Sequence, residues 1–67
     1  MAFQTDDELI AYAAIHCRTE RALFHRDHVN RLLGLAGRES VDGKEWFAVH
    51  EDEMEPILAA IKQRVTT

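Results

Sequence analysis

The first part of the chain has apolar residues three and four positions apart, which is typical of one face of an α-helix. Thr5 followed three residues later by Glu8 fits a capping box, and Asp6 and Asp7 lie where the helix dipole favours acidic side chains. We therefore predict a helix from about residue 6. Its apolar face consists of Leu9, Ile10, Ala13, Ala14 and Cys17.

A second helical pattern occupies the middle of the chain, where Val29, Leu32, Leu33 and Ala36 share one face. Gly34 or Gly37 supplies the left-handed residue that commonly ends a helix. If His25 is the N-cap, Phe24 and Val29 stand at the two positions of a hydrophobic staple. The alternative is a continuous helix from about residue 19, because no Gly or Pro separates this segment from the first helix.

The pattern changes to alternation after the second helix. Asp42 and Gly43 form a two-residue turn signal of the kind that joins paired strands. We predict a β-hairpin around this turn, with its second strand over residues 45–50. Trp46 and Ala48 point to one face of that strand and Phe47 and Val49 to the other, so both faces need cover.

The last stretch returns to helical spacing, with apolar residues Met54, Ile57, Leu58, Ile61 and Val65. Proline is tolerated only in the first turn of a helix. Pro56 therefore predicts that the regular helix begins at about Glu55 or Pro56, with Met54 packing from a preceding turn, or that the first turn is distorted. The predicted fold is a single small α+β domain over residues 1–67, mainly helical, in the order helix, helix, β-hairpin, helix.

The length of 67 residues limits what such a domain can do. A chain of this size buries only about 60% of the surface that its unfolded form exposes, so we expect no deep catalytic cleft and no enzyme. The first residues lack the charged start and hydrophobic stretch of a signal peptide, and no apolar run is long enough for a membrane. The single cysteine, Cys17, cannot form an intrachain disulfide. We expect a cytoplasmic protein.

Charge is distributed unevenly along the chain, although the total is −4. Residues 1–15 carry three acids, residues 16–38 carry five arginines against two acids, and residues 39–67 carry seven acids against three bases, giving −3, +3 and −4. Binding to a polyanion depends on such local fields rather than on the total. The middle segment is therefore the candidate nucleic-acid surface.

The order helix, helix, hairpin, with HVNRLLGL leading into the hairpin, resembles winged helix-turn-helix modules and excisionase-like DNA-binding proteins over about residues 20–55. The resemblance implies a DNA-binding regulator. Two features oppose it: residues 34–40 leave no room for a two-turn recognition helix, and the tip Asp42-Gly43 is acidic. The candidate contacts are Arg18, Arg21, Arg26, His28, Asn30, Arg31 and Arg38.

The preferred function is binding to a protein partner. An aromatic residue beside charged residues is the usual composition of a small interface anchor, and Trp46 and Phe47 supply the aromatic side chains. The acids that follow would steer a basic partner; they are Glu51, Asp52, Glu53 and Glu55. By analogy of size with phage and plasmid accessory proteins, we expect a regulator, adaptor or inhibitor of a larger intracellular complex. A homodimer is a further expectation for a core this thin.

Metal binding and thiol chemistry are weaker hypotheses. The residues His16, Cys17, His25 and His28 offer ligand atoms for zinc, but the chain has no paired CxxC and the spacing matches no standard zinc pattern. Cys17 lies near the end of a predicted helix, where the dipole raises a thiol pKa and disfavours the nucleophilic thiolate. We expect no metal and no cofactor.

Overall fold

The computed structural model describes residues 3–19 and 22–66, without the side chains of residues 65 and 66. It confirms the small, mainly helical α+β class. The elements, in chain order, are α1 (Asp6–His16), β1 (Leu23–His25), α2 (Arg26–Leu35), β2 (Trp46–Ala48) and α3 (Glu51–Thr66). Val65, assigned to the apolar face of the last helix, has its side chain outside the described part.

The two strands pair antiparallel, with Leu23 opposite Ala48, Phe24 opposite Phe47 and His25 opposite Trp46. Antiparallel pairing of two short strands was predicted, but the first strand was misassigned: it precedes α2 instead of leading into the Asp-Gly turn. The physical reason lies in Asn30. Its side chain accepts the Val41 N–H at 2.7 Å and donates to the Val41 carbonyl at 3.1 Å, so the segment before the turn has no free pairing edge at this residue.

Both predicted helix starts in the first half of the chain are confirmed. Thr5 Oγ1 accepts the Glu8 N–H at 3.2 Å and caps α1. His25 Nδ1 accepts the Asp27 N–H at 3.2 Å and caps α2, so the alternative of a continuous helix from about residue 19 is wrong. The backbone of His25 is extended, at φ −66° and ψ 143°, so α2 cannot continue towards the N-terminus beyond this residue.

The end of α2 is formed by Gly37, the second of the two candidate glycines, at φ 74°. The Arg38 N–H donates to the Leu33 carbonyl at 2.8 Å and the Gly37 N–H donates to the Gly34 carbonyl at 3.1 Å. These two bonds are the Schellman pattern, which satisfies helix carbonyls that would otherwise lack donors.

Helix α3 begins at Glu51, so the predicted start at about Glu55 or Pro56 is wrong. The N–H groups of Glu53 and Met54 donate to the His50 carbonyl at 3.0 and 2.9 Å, which forms a regular first turn. Pro56 lies inside the helix but faces solvent, where water can satisfy the carbonyl that its missing N–H leaves free. The acids of the first turn and the burial of Met54 offset the cost of the proline.

The core is formed by all three helices together with residues from the strands and adjoining turns, and no polar or charged side chain is buried among the residues described. Its largest fully buried side chains are Leu9, Phe24, Leu32 and Met54. Phe47 packs against this core from β2. Within the described part of the chain, no helix is both long enough and apolar enough to cross a membrane.

Candidate interaction surface

Among the residues described, the two-stranded ribbon is covered on one side only. Phe24 and Phe47, which are cross-strand neighbours, face the core. The alternate residues point the other way, so Leu23 is 48% exposed and Trp46 is 54% exposed. We call this side the outer ribbon face, defined by Leu23, His25, Trp46 and Ala48. It leaves large apolar side chains in contact with water.

An arc of five rings continues the outer ribbon face towards the start of the chain. Ring centroids of Tyr12 and Phe3 lie 5.0 Å apart, and those of Phe3 and His28 also lie 5.0 Å apart. His28 is 6.2 Å from His25, and His25 is 5.1 Å from Trp46 with the rings nearly perpendicular at 88°. The five side chains line an open cavity of about 230 Å³, which we call the aromatic cavity.

His25 links the cavity to the fold. Its Nδ1 atom is used as the acceptor of the α2 cap, so the neutral imidazole carries its proton on Nε2. Nε2 lies 3.4 Å from Glu45 Oε1, and Nδ1 lies 3.7 Å from Asp27 Oδ2. The ring is thereby held with one edge towards Trp46 and a carboxylate near each nitrogen.

His28 is the ring next to His25 in the arc, and its surroundings favour its neutral form. Burial, and next the proximity of His25, lower the pKa of His28 below its ordinary value. An imidazole with a lowered pKa is uncharged near pH 7. The wall that His28 contributes therefore carries no formal positive charge, and the carboxylates of Asp27 and Glu45 lie beside the cavity at His25.

Helix α1 extends the exposed apolar surface beyond the cavity. Tyr12 stacks on His16 with 4.8 Å between ring centroids, and His16 Nε2 lies 3.1 Å from the Leu23 carbonyl, at hydrogen-bond distance. Ile15, on the same helix, is 70% exposed. Helix α1 is thus tied to the ribbon edge by His16.

The predicted acidic residues lie elsewhere. Glu51, Asp52, Glu53 and Glu55 are all exposed at the start of α3, and none of them lines the aromatic cavity. Glu51 lies 3.6 Å from the Arg18 guanidinium. Glu51 and Glu55 contribute instead to a second open depression of about 310 Å³ beside Cys17. Of the predicted partner-binding residues, Trp46 is the one in the aromatic cavity, whereas Phe47 is partly buried against the core.

Four of the predicted nucleic-acid contacts make hydrogen bonds or ion pairs within the fold. Arg31 donates from Nε to Asp6 Oδ1 at 2.7 Å and from Nη1 to the Phe3 carbonyl at 3.1 Å. Arg26 lies 3.4 Å from Asp42, and Asn30 holds Val41. Of the other candidates, Arg18 pairs with Glu51, His28 lines the aromatic cavity, Arg38 is exposed, and Arg21 lies outside the described residues.

The zinc-type residues do not assemble into a site. Among the residues described, no group of three or more histidine, cysteine, aspartate or glutamate side chains is placed to hold a metal ion. Cys17 is buried, and its thiol donates to the Ala14 carbonyl at 3.6 Å. Burial, and next the charge of Glu51, raise the pKa of the Cys17 thiol, so the thiolate is disfavoured.

The sequence analysis missed Phe3, Tyr12 and Glu45 as members of the candidate site. A signal for Tyr12 is present: it stands four residues before His16 on α1 and off the apolar face, so the two rings share a second face. Phe3 precedes the first helix and follows no period. Its place is set by the Arg31 bond to its carbonyl, which no local pattern encodes.

Comparison with protein-family models, with curated proteins and with solved structures found no significant match.

Proposed function

We propose that the protein is a non-catalytic binding module, a regulator, adaptor or inhibitor that docks on another protein through the outer ribbon face and the aromatic cavity. The observation that carries the proposal is the exposure of Trp46, which is 54% accessible on a ribbon face that no part of the described chain covers. A large apolar side chain left in water at a fixed position is typical of an interface anchor.

Rigidity of the anchor supports the proposal. Trp46 sits in a strand, packs edge-on against His25, and His25 is itself fixed as the cap of α2. A side chain already held in one place loses less conformational entropy when it binds. Tyr12 offers a second amphipathic ring at the other end of the aromatic cavity, and tyrosine and tryptophan are enriched among the residues that dominate binding energy.

A protein partner is favoured over nucleic acid by the charges around this surface. Asp27 and Glu45 lie beside the aromatic cavity, and carboxylates repel phosphates. Arg26 and Arg31, the proposed contacts of the alternative DNA-binding function, are paired with Asp42 and Asp6. DNA binding through α2 would have to break or share both ion pairs, which weakens the counterion release that drives such binding.

The proposal is tested by capture followed by mapping. The protein is immobilised as wild type, as Trp46→Ala and as the control Ala59→Ser, which alters an exposed position on α3. Each bait is exposed to lysate with and without nuclease treatment. A captured protein is then purified, and hydrogen exchange of the wild-type chain is measured with and without it. We expect the partner to bind the wild type and the control but not Trp46→Ala, and to slow exchange at Leu23 and at residues 46–48.

Protection confined to another surface would contradict the proposal, as would a partner that Trp46→Ala retains at full strength. Capture that nuclease treatment abolishes would favour the DNA-binding alternative, and it should then fall steeply with salt and on Arg26→Ala. A second copy of the chain as the occupant would appear as a dimer in sedimentation, with a melting temperature that rises with concentration.

A further inference from the structure

We infer that the aromatic cavity receives an arginine side chain from a basic segment of the partner protein. The inference rests on the proposed function, because it names the chemistry that the same surface recognises. It would make Trp46, Tyr12 and Phe3 the walls of a cation site, not general apolar contacts.

The geometry of the rings carries the inference. Five rings, with neighbouring centroids between 5.0 and 6.2 Å apart, line one open cavity of about 230 Å³. Aromatic faces carry partial negative charge, and a guanidinium within about 6 Å of a ring centroid is attracted to it, most strongly to tryptophan. The planar guanidinium can also stack on a ring, which a lysine ammonium cannot do. An apolar side chain would fill the same cavity but would gain no electrostatic attraction to the rings.

The charges beside the cavity have the sign that a cation needs. Glu45 and Asp27 lie 3.4 and 3.7 Å from the two ring nitrogens of His25. Arg31, which donates to the Phe3 carbonyl, is paired with Asp6 at 2.7 Å. The pKa of His28 is lowered by burial, so this side chain adds no positive charge to the cavity near pH 7. The chain as a whole carries a net charge of −4, which adds a weak long-range attraction for a basic segment.

The charges of this chain favour an arginine from another protein over one from a second copy. Arg18, Arg26 and Arg31 are each paired with an acid within the fold. Using any of them in a second copy would require an existing ion pair to break. Two copies would also repel each other weakly at long range, because each chain carries the same net charge of −4.

The test uses Trp46 as its own reporter, because it is the single tryptophan of the chain. Its emission is followed while an acetylated tri-arginine peptide is added, and separately while the matched tri-citrulline peptide is added. Citrulline keeps the planar shape but has no charge, and a carbonyl acceptor replaces one of the nitrogens that donate in arginine. We expect a saturable change with tri-arginine and none with tri-citrulline over the same range. Proton spectra of the peptide should show the arginine side-chain protons shifted upfield by the rings.

Two variants and a control locate the binding. Glu45→Gln removes the carboxylate beside His25, and Tyr12→Leu removes one ring face; each should weaken the tri-arginine affinity by up to about fivefold. Glu53→Gln removes the same charge from the exposed start of α3, outside the cavity, and should leave the affinity unchanged. The comparison separates a local cation site from a simple effect of net charge.

Equal responses to the arginine and citrulline peptides, or equal losses in Glu45→Gln and Glu53→Gln, would overturn the inference. So would the lack of any saturable response to tri-arginine. The inference and the proposed function fail in different ways. A partner that needs Trp46 but is not displaced by tri-arginine would retain the proposed function and remove the arginine site. Saturable tri-arginine binding, combined with a partner that protects only another surface, would retain the arginine site and remove the proposed function.

Discussion

At the scale of single residues, neighbouring aromatic side chains of the ribbon have opposite roles. Phe24 is 1% exposed and belongs to the core, whereas Trp46, on the paired strand, is 54% exposed. Period-two alternation sends adjacent residues to opposite faces, and only one face of the ribbon is covered. The larger ring therefore contributes little to folding and is available for binding.

This difference predicts the stability of two alanine variants. Phe24→Ala should lower the free energy of unfolding by about 3 to 5 kcal/mol, because it leaves a cavity in the core. A domain of this size has only roughly 3 to 10 kcal/mol of stability in total, so the variant should be largely unfolded or close to it. Trp46→Ala should cost about 1 kcal/mol or less. Urea denaturation followed by circular dichroism measures both. Comparable losses would contradict the assignment of Trp46 to the surface.

Arg31 is predicted to stabilise the fold through Asp6. The pair is partly exposed, at 34% for the arginine side chain and 49% for the aspartate, so solvent screens it. A double-mutant cycle of Arg31→Ala and Asp6→Ala should give a coupling energy of about 0.5 kcal/mol that declines with added salt. A coupling near zero at low salt would show that the pair does not act in solution and would return Arg31 to the candidates for nucleic-acid binding.

At the scale of elements, two glycines of the α2 region differ in whether their backbone conformation requires glycine. Gly34 lies within the helix, and a Cβ atom added there would meet nothing within 4 Å. Gly37 has φ 74°, and a Cβ atom added there would lie 2.6 Å from the Arg64 guanidinium. A positive φ is the conformation that favours glycine at the end of a helix.

Alanine at these two positions should therefore change stability with opposite signs. Gly34→Ala should raise the free energy of unfolding by about 0.5 to 1 kcal/mol, because alanine loses less backbone entropy in a helix. Gly37→Ala should lower it by about 1 kcal/mol or more, because alanine is strained at the positive φ. Thermal melting of the two variants and of the wild type measures both changes in stability. A stabilising Gly37→Ala would contradict the described end of α2.

The loop between α2 and β2 depends on Asn30, which bonds both backbone polar groups of Val41. Asn30→Ala should remove both bonds and speed hydrogen exchange at the Val41 amide. Asn30→Asp retains an acceptor for that amide but loses the donor to the carbonyl, so its protection should be intermediate or close to wild type. Unchanged exchange in Asn30→Ala would indicate that Val41 is held by another group, and the explanation for the missing hairpin would fail.

At the scale of the whole molecule, the sequence predicted the features that depend on residues close together in the chain. The cap at Thr5, the cap at His25 and the class of the fold follow from side chains within a few residues of one another. The pairing of β1 with β2 does not, because it joins strands on either side of α2 and competes with an Asp-Gly turn that indicates a hairpin. The aromatic cavity was hidden for the same reason. Phe3 and Trp46 are 43 positions apart in the sequence, and only tertiary contacts bring them together.

The most direct test of the central claim is the affinity of the purified partner for three forms of this chain, measured by isothermal titration calorimetry. The forms are the wild type, Trp46→Ala and Asp52→Asn, the last of which alters the exposed start of α3 away from the aromatic cavity. We predict that Trp46→Ala weakens binding by about thirtyfold or more, the loss expected of a dominant anchor, and that Asp52→Asn changes it by less than about threefold. Equal affinities for the wild type and Trp46→Ala would contradict the claim that the outer ribbon face is the binding surface.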